Sequence, residues 1–466
     1  MSRHAKTTRR TFLKGLTATG FAAAAFPQII SPRALGAAGE SLNIALLGSG
    51  GRSGQLLPSI LRGGGNIVAM CDVDASRFQR IKNVAAKEQR GESVEKAKVY
   101  DDYRKLLDAE KSVDAVVIAA GQRWHAYMCK AAMAAGKHVF CEKPLAHSVA
   151  EARMLRDLGR QTRLATQIGS QGGASDAFRR SMEIIQAGLL GQIHEAHAWI
   201  NRTFPPSAAI DQNADPIPDG LNWDFWCGPS ALLPFKGYYL RGCLAWGRWL
   251  EFGDGHLADM GAHGLNLPWR ALKLGPVVKA SVKIPDSEPL KDSYPSATTF
   301  RWDFAARDNF DPVSVYWHDG PKAGPPEELS KELLATYQRV PGDGVLFAGE
   351  KGMLLSNAWG QNGVMKMKGE TRFRGVLDHE AAKPLKVEYP RARGQNHMEE
   401  WMRAATGDGQ TFQPFATAAM IGEMSMIGMV ALRLGKPIDW DPEAAKAKGM
   451  PEADALIQRP PRQKWL

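Results

Sequence analysis

A short apolar run, Leu42–Leu47, ends in Gly48-Ser49-Gly50-Gly51-Arg52-Ser53-Gly54, and a helical pattern follows. No other feature constrains the chain as much. Glycines at 48 and 50 permit a tight turn and a close approach to the backbone, and the helix behind them opens with free N–H groups and the positive end of its dipole. A small residue, Ser53, stands where a third glycine would allow helix and strand to pack closely. Further apolar runs at Ile67–Cys71, Val113–Ala120 and His138–Cys141 alternate with helical periodicity, a helix is expected over Val149–Gln161, and Leu164–Ile168 reads as a last strand. Strand–helix alternation of this kind predicts a doubly wound parallel sheet. The first domain is expected over residues 41–165.

The texture changes beyond it. Residues 204–249 are rich in Pro and Trp without clear periodicity, which marks a functional segment rather than a plain connection. Strand-like runs then succeed one another at Val277–Ile284, Ala297–Phe304, Val313–Trp317, Gly352–Ser356 and Val364–Lys368, ahead of an apolar helix at Phe415–Leu434. Strands following strands predict a second α/β domain, residues 166–440, with a largely antiparallel sheet and a polar tail over 441–466.

Asp72 ends the second strand, 24 residues beyond Gly48. A carboxylate there is placed to bind the hydroxyls of an adenosine ribose, and Gly48, Gly50, Gly51, Arg52 and Ser53 would cradle a pyrophosphate. The expected cofactor is therefore a nicotinamide dinucleotide. Asp72 repels a 2′-phosphate and favours NAD; Arg52 and Arg77 could offset that repulsion, so NADP is the alternative.

The formal charge of +10 invites a nucleic-acid reading, but six of those charges (Arg3, Lys6, Arg9, Arg10, Lys14, Arg33) lie in residues 1–38, which hold no acids. The remaining balance, without basic runs, argues against nucleic acid as a partner. Thr8-Arg9-Arg10-Thr11-Phe12-Leu13-Lys14, the weakly apolar stretch after it and the small residues around Gly36-Ala37-Ala38 read as a twin-arginine export signal over residues 1–38. The expected partner is the export machinery, and the expected location the periplasm, or a membrane-anchored form if the signal is retained. Five cysteines at 71, 129, 141, 227 and 243 have neither disulfide-framework nor zinc spacing, so no required disulfide and no metal are expected; Cys227 and Cys243 are the one pair to check.

A second motif is Gly136-Lys137-His138-Val139-Phe140-Cys141-Glu142-Lys143-Pro144, with an acid–base pair at the carboxyl end of a parallel strand, where doubly wound folds bind ligands. Together with Trp124-His125-Ala126 upstream, it resembles the glucose-fructose oxidoreductase, inositol dehydrogenase and MocA-like family. The resemblance implies that Glu142 and Lys143 lie beside the nicotinamide, with Lys143 contacting the hydroxyl that is oxidised, and that Gln122, Trp124 and His125 belong to the cofactor site. Gly121-Gln122 replaces the family's usual proline after the fourth strand. Physically, a cation at position 143 would stabilise the alkoxide that develops as hydride departs.

The third motif runs Gly253-Asp254-Gly255-His256-Leu257-Ala258-Asp259-Met260-Gly261-Ala262-His263. Asp259 and His263 are four apart, so on an α-helix they share a face and the carboxylate can orient the imidazole. His263 is the expected acid/base, and the resemblance places this pair against the substrate. Asn266 stands where many relatives have an acid. His256 serves either substrate contact or packing. Trp223-Asp224-Phe225-Trp226 recurs in exported members of the family, and Trp223 and Trp226 read either as sugar platforms or as packing residues. Asn396-His397, ahead of Trp401, reads as a structural helix start.

The expected function is a hydride transfer between a sugar or polyol hydroxyl and a tightly held cofactor. The alternatives are a redox-neutral glycosidase acting through a 3-keto intermediate, and a non-catalytic sugar-binding protein. Homo-oligomerisation, common in the family, is expected through the exposed face of the second sheet.

Overall fold

The computed structural model describes residues 41–462, so the export signal expected over residues 1–38 lies outside the described residues. Six strands form the first sheet: β1 Asn43–Leu47, β2 Asn66–Cys71, β3 Lys98–Tyr100, β4 Ala115–Ile118, β5 His138–Cys141 and β6 Thr166–Ile168. All neighbours pair in parallel, in the order β3-β2-β1-β4-β5-β6. Every residue of β4 and β5 is buried, as sheets covered by helices on both faces require. The order reverses between β1 and β4, which opens a crevice at the carboxyl ends of these two strands.

The second sheet has ten strands: β7 Ile193–Ile200, β8 Val277–Lys283, β9 Thr298–Phe304, β10 Val313–Asp319, β11 Asp343–Gly349, β12 Gly352–Ser356, β13 Val364–Met367, β14 Arg374–Gly375, β15 Ile438–Asp441 and β16 Lys446–Ala447. Their order is β14-β13-β12-β11-β7-β10-β9-β8-β15-β16, antiparallel except where β10 runs parallel to β7. The fold class is the one the strand and helix pattern predicts.

Six strands escape that pattern: the short β14, β15 and β16 at the ends of the second sheet, and β3, β7 and β11. β3 is three residues long at the sheet's edge, with Lys98 and Val99 exposed. β7 and β11 form the centre of the second sheet, yet β7 reads IHEAHAWI and carries a buried His197 that breaks its apolar signal. β11 has glycines near both ends.

The helix Phe415–Leu434 is long and apolar enough to cross a membrane, but here it is an internal element. Its first turns, through Phe415, Ala418 and Ala419, complete the core of the parallel sheet; Met424, Ile427 and Val430 enter the core of the second. The helix His397–Ala405 likewise places Met398, Trp401 and Met402 against β1 and β2 residues, with Asn396 capping it by accepting from the Met398 and Glu399 amides at 3.0 and 3.3 Å. The irregular segment 204–249 has an aromatic core of its own, built on Trp223, Phe235, Tyr239 and Trp249 and joined by Phe252 just beyond it.

Candidate active site

The glycine turn closes under the end of β4. Gly48 has φ +90°, and a Cβ there would lie 2.7 Å from the Ala119 backbone, so position 48 accepts only glycine. Ser53 is fully buried and its hydroxyl donates to the Gly48 carbonyl, tying helix to turn. Gly50 precedes the helix Gly51–Arg62, which has no side-chain cap. A Cβ built on Gly50 or Gly51 would meet nothing within 4 Å, so open space faces the free N–H groups of that helix. This is a cradle for a pyrophosphate.

Asp72 follows β2 beside the turn, accepting from the Ser49 amide at 2.6 Å and from the Asp74 amide at 3.0 Å. Burial raises its pKa to about 6. Neither arginine considered for a 2′-phosphate is free: Arg77 bonds Asp74 at 2.8 Å, and Arg52 bonds Glu142 at 2.8 Å. Arg77 acts on Asp72 only from its bond to Asp74, so no free cation stands beside Asp72 to take a 2′-phosphate, which is the NAD arrangement rather than the NADP one.

Glu142 and Lys143 follow β5 and part company. Glu142 is buried, takes Arg52 on one oxygen, and accepts from the Lys143 amide on the other at 3.3 Å. Burial raises its pKa against the pull of Arg52. Gly169 leaves it room, since a Cβ there would lie 2.5 Å from its carboxyl group. Lys143 reaches across to the second domain, donating to Asp259 Oδ1 at 2.6 Å and to the Asp259 carbonyl at 2.9 Å.

His263 lies in the same region, but Asp259 does not orient it. Residues Leu257–Gly261 form a turn of π-helix, which changes the four-residue register assumed for an α-helix. Asp259 is engaged by Lys143, and His263 Nδ1 pairs instead with Ser170 Oγ at 3.1 Å. Ser170 is held in turn: the Asn266 amide donates to its hydroxyl at 3.3 Å and to Gln413 Oε1 at 2.6 Å, and Gln413 donates to the Ser170 carbonyl at 2.6 Å. Arg270 donates to Asn266 Oδ1 at 3.0 Å, which fixes the amide's orientation. Burial, then the charges of Lys143 and Arg52, push the His263 pKa well below its ordinary value, so the imidazole rests neutral with a nitrogen lone pair unprotonated.

Several expected contacts are taken up by the protein itself. Trp124 stacks on Phe225 with ring centroids 5.1 Å apart and donates to the Phe225 carbonyl at 3.1 Å. His125 sits between the Pro144 and Ala120 carbonyls at 2.6 and 3.1 Å, so it braces the turn carrying Lys143. Gln122 is buried and donates to Asp254. Trp223 is buried, with stacked rings of Trp226 at 4.6 Å and Tyr239 at 5.7 Å, and Trp226 is capped by Arg123 at 3.8 Å. Trp223 offers no sugar platform; aromatic packing wins there because the segment must bury its own core. Trp223→Ala should therefore lower unfolding stability by about 3–5 kcal/mol in urea titration, with little change in sugar KM; a large KM rise at unchanged stability would restore the platform reading.

His256 is buried and stacked on Phe204 at 3.9 Å, and neither ring nitrogen has a hydrogen-bond partner. Burial lowers its pKa to about 4. One further residue enters the site from the end of β7: Arg202, whose Nη1 lies 3.7 Å from Asp259 Oδ2. Nothing in the sequence marks Arg202, Ser170 or Gln413, because each is brought in by tertiary placement alone. Among the described residues no group of three or more His, Cys, Asp or Glu is arranged to hold a metal ion. All five cysteines are free, four buried and Cys243 exposed.

Residues 42–170 match the model of the Gfo/Idh/MocA oxidoreductase family, NAD-binding Rossmann fold. This segment is an NAD-binding Rossmann domain. The chain is 34% identical over 138 residues to an inositol 2-dehydrogenase of Salmonella typhimurium, a stretch covering 29% of this chain and 38% of that protein. It is 30% identical over 221 residues to glycosyl hydrolase family 109 protein 2 of a Shewanella species, covering 44% of this chain and 48% of the relative. The matches thus span less than half the length of either curated relative. Across the two-sheet fold, the chain superposes on a levoglucosan dehydrogenase in complex with NADH and levoglucosan, with TM-score 0.57 at 14% identity over 86% of this chain and 99% of the other. An aldose-aldose oxidoreductase from Caulobacter crescentus complexed with glycerol gives TM-score 0.56 at 14% identity, over 86% and 100%. At that identity the likeness is one of fold.

Proposed function

We propose that the protein is an exported oxidoreductase that moves hydride between a sugar or polyol hydroxyl and a tightly held NAD. The observation that carries this reading is the convergence of Lys143, Asp259 and the neutral His263 at the carboxyl end of β5, beside the glycine cradle. The inositol and levoglucosan dehydrogenases among its likenesses support the substrate class. NAD, when bound, supplies the hydride acceptor at nicotinamide C4. His263 takes the hydroxyl proton. Lys143 donates a hydrogen bond to the same oxygen and offsets the negative charge that develops on it. Asp259 holds the ammonium in place, and Ser170 holds the ring of His263.

Mass spectrometry of small molecules released on denaturation, followed by absorbance scans with candidate sugars, tests the reading. Stoichiometric NAD that resists dialysis and is reduced by a sugar is the expected result. If no nucleotide is released and added NAD does not bind, the oxidoreductase reading fails and a sugar-binding protein takes its place. Because His263 is catalytically competent only when neutral, and its pKa lies well below the ordinary value, the acid limb of the kcat/KM profile should lie below the range of an ordinary histidine. An acid limb at pH 6.5 or above would remove His263 from the base role.

The match to a family 109 glycosyl hydrolase favours a second reading, in which hydride is taken up and returned around an elimination step, with no net redox change. Release of p-nitrophenol from an aryl glycoside without accumulation of NADH would select it. Export rests on the Arg9-Arg10 motif and is tested by the size and location of the mature chain after expression with and without Arg9-Arg10→Lys-Lys.

A further inference from the structure

The charges around the site do not balance. Arg52 is neutralised by Glu142 at 2.8 Å. Asp259 must serve two cations: its Oδ1 is taken by Lys143 at 2.6 Å, which leaves Arg202 Nη1 at 3.7 Å from Oδ2. Among the described residues the Arg202 guanidinium makes no hydrogen bond, and its side chain is 44% exposed, so the fork is open to an incoming group. Its backbone, by contrast, is fixed, with the amide donating to Ile200 and the carbonyl accepting from Gly320 at 2.9 and 2.8 Å.

Two residues beyond Arg202, Phe204 carries the stacked ring of His256, buried to 2% exposure with both nitrogens unpartnered. The charges of both Asp259 and Arg202 act on that ring, in opposite directions. A neutral imidazole without a partner has an N–H to donate, and a buried unmade hydrogen bond is costly. A guanidinium without a carboxylate of its own matches a planar anion in two-pronged fashion, which an alcohol cannot satisfy.

We propose that Arg202, with His256 behind it, selects substrates bearing a carboxylate, so that the preferred sugar is an acid such as a uronate or aldonate rather than the neutral sugar. The proposal rests on the oxidoreductase reading for its site and adds the class of substrate. The carboxylate sits on Arg202 while Lys143 and His263 attend the reacting hydroxyl.

The test uses the NAD-loaded protein and two matched pairs, D-glucuronate against D-glucose and D-gluconate against D-sorbitol. The acid of each pair should show kcat/KM at least ten-fold above its neutral partner. Arg202→Gln should collapse that ratio by ten-fold or more, mainly through KM for the acid, and Arg202→Lys should restore part of it. Calorimetric titration of D-glucuronate and D-glucose into the same loaded protein reads the preference without turnover. Tighter glucuronate binding that Arg202→Gln abolishes supports the proposal even where no sugar is oxidised, in which case only the redox reading falls. Equal acid and neutral constants, or a ratio unmoved by Arg202→Gln, overturn the proposal and leave the oxidoreductase reading standing.

Discussion

Lys143→Met should lower kcat for sugar oxidation by about a thousand-fold, the upper end of what a single donor aimed at a developing oxyanion contributes. The ammonium is held from the second domain by both the carboxylate and the carbonyl of Asp259, at 2.6 and 2.9 Å, so its position does not depend on substrate. Methionine keeps the aliphatic stem and removes the charge. NADH affinity, followed by fluorescence of the reduced nicotinamide, should change far less than kcat, because the cradle at Gly48–Gly51 is separate from the lysine. Lys143→Arg should not rescue turnover: the planar guanidinium cannot reproduce a compact ammonium bonded at two points to one residue. A fall in kcat below about ten-fold would remove Lys143 from the reaction and shift the burden to His263.

Gly48→Ala should abolish measurable NAD binding and destabilise the fold as well. The alanine Cβ would lie 2.7 Å from the Ala119 backbone, at a residue with φ +90°. Backbone at the end of a buried strand has no rotamer by which to move away. Left-handed strain and overpacking together amount to roughly 2–4 kcal/mol, read from urea unfolding, while calorimetry reads NAD. Gly51→Ala separates the two effects. Its Cβ would meet no protein atom within 4 Å, and alanine favours a helix by up to about 1 kcal/mol over glycine. Stability should therefore hold or rise while NAD binding weakens, since the methyl group enters the space assigned to the pyrophosphate. Unchanged NAD affinity in Gly51→Ala would place the cofactor elsewhere.

The parts of the fold legible in the sequence are those where one physical signal acts alone. His138–Cys141, Val149–Gln161 and Phe415–Leu434 have the same bounds in the pattern and in the structure, because a largely apolar run or a 3.6-residue stripe identifies each. β7 and β11 are hidden for the opposite reason: both faces of β7 are covered, one by Ala196, Ala198 and Ile200 and the other around His197 and Trp199, so no alternation survives. At the site, residue types and their spacing point to Lys143, Asp259 and His263. Spacing misleads on how they pair, since one π-helical turn reassigns Asp259 to Lys143 and gives His263 to Ser170. Trp124 and Trp223 show the limit of reading aromatic residues in sequence, where a ring that packs and a ring that binds look alike.

The helices His397–Ala405 and Phe415–Leu434 have a bearing on how the chain is made. Phe415, Ala418 and Ala419 fill one side of the parallel sheet, Met398, Trp401 and Met402 fill the other, and the Trp401 indole donates to the Ala165 carbonyl at 3.0 Å. The dinucleotide-binding segment, although encoded first, therefore leaves the ribosome with apolar gaps on both faces. Its last core residues arrive about 250 positions later. Until residues 397–434 have been synthesised and docked, that segment is an unfinished body with exposed hydrophobic surface, so cofactor loading belongs to the end of translation rather than to its beginning.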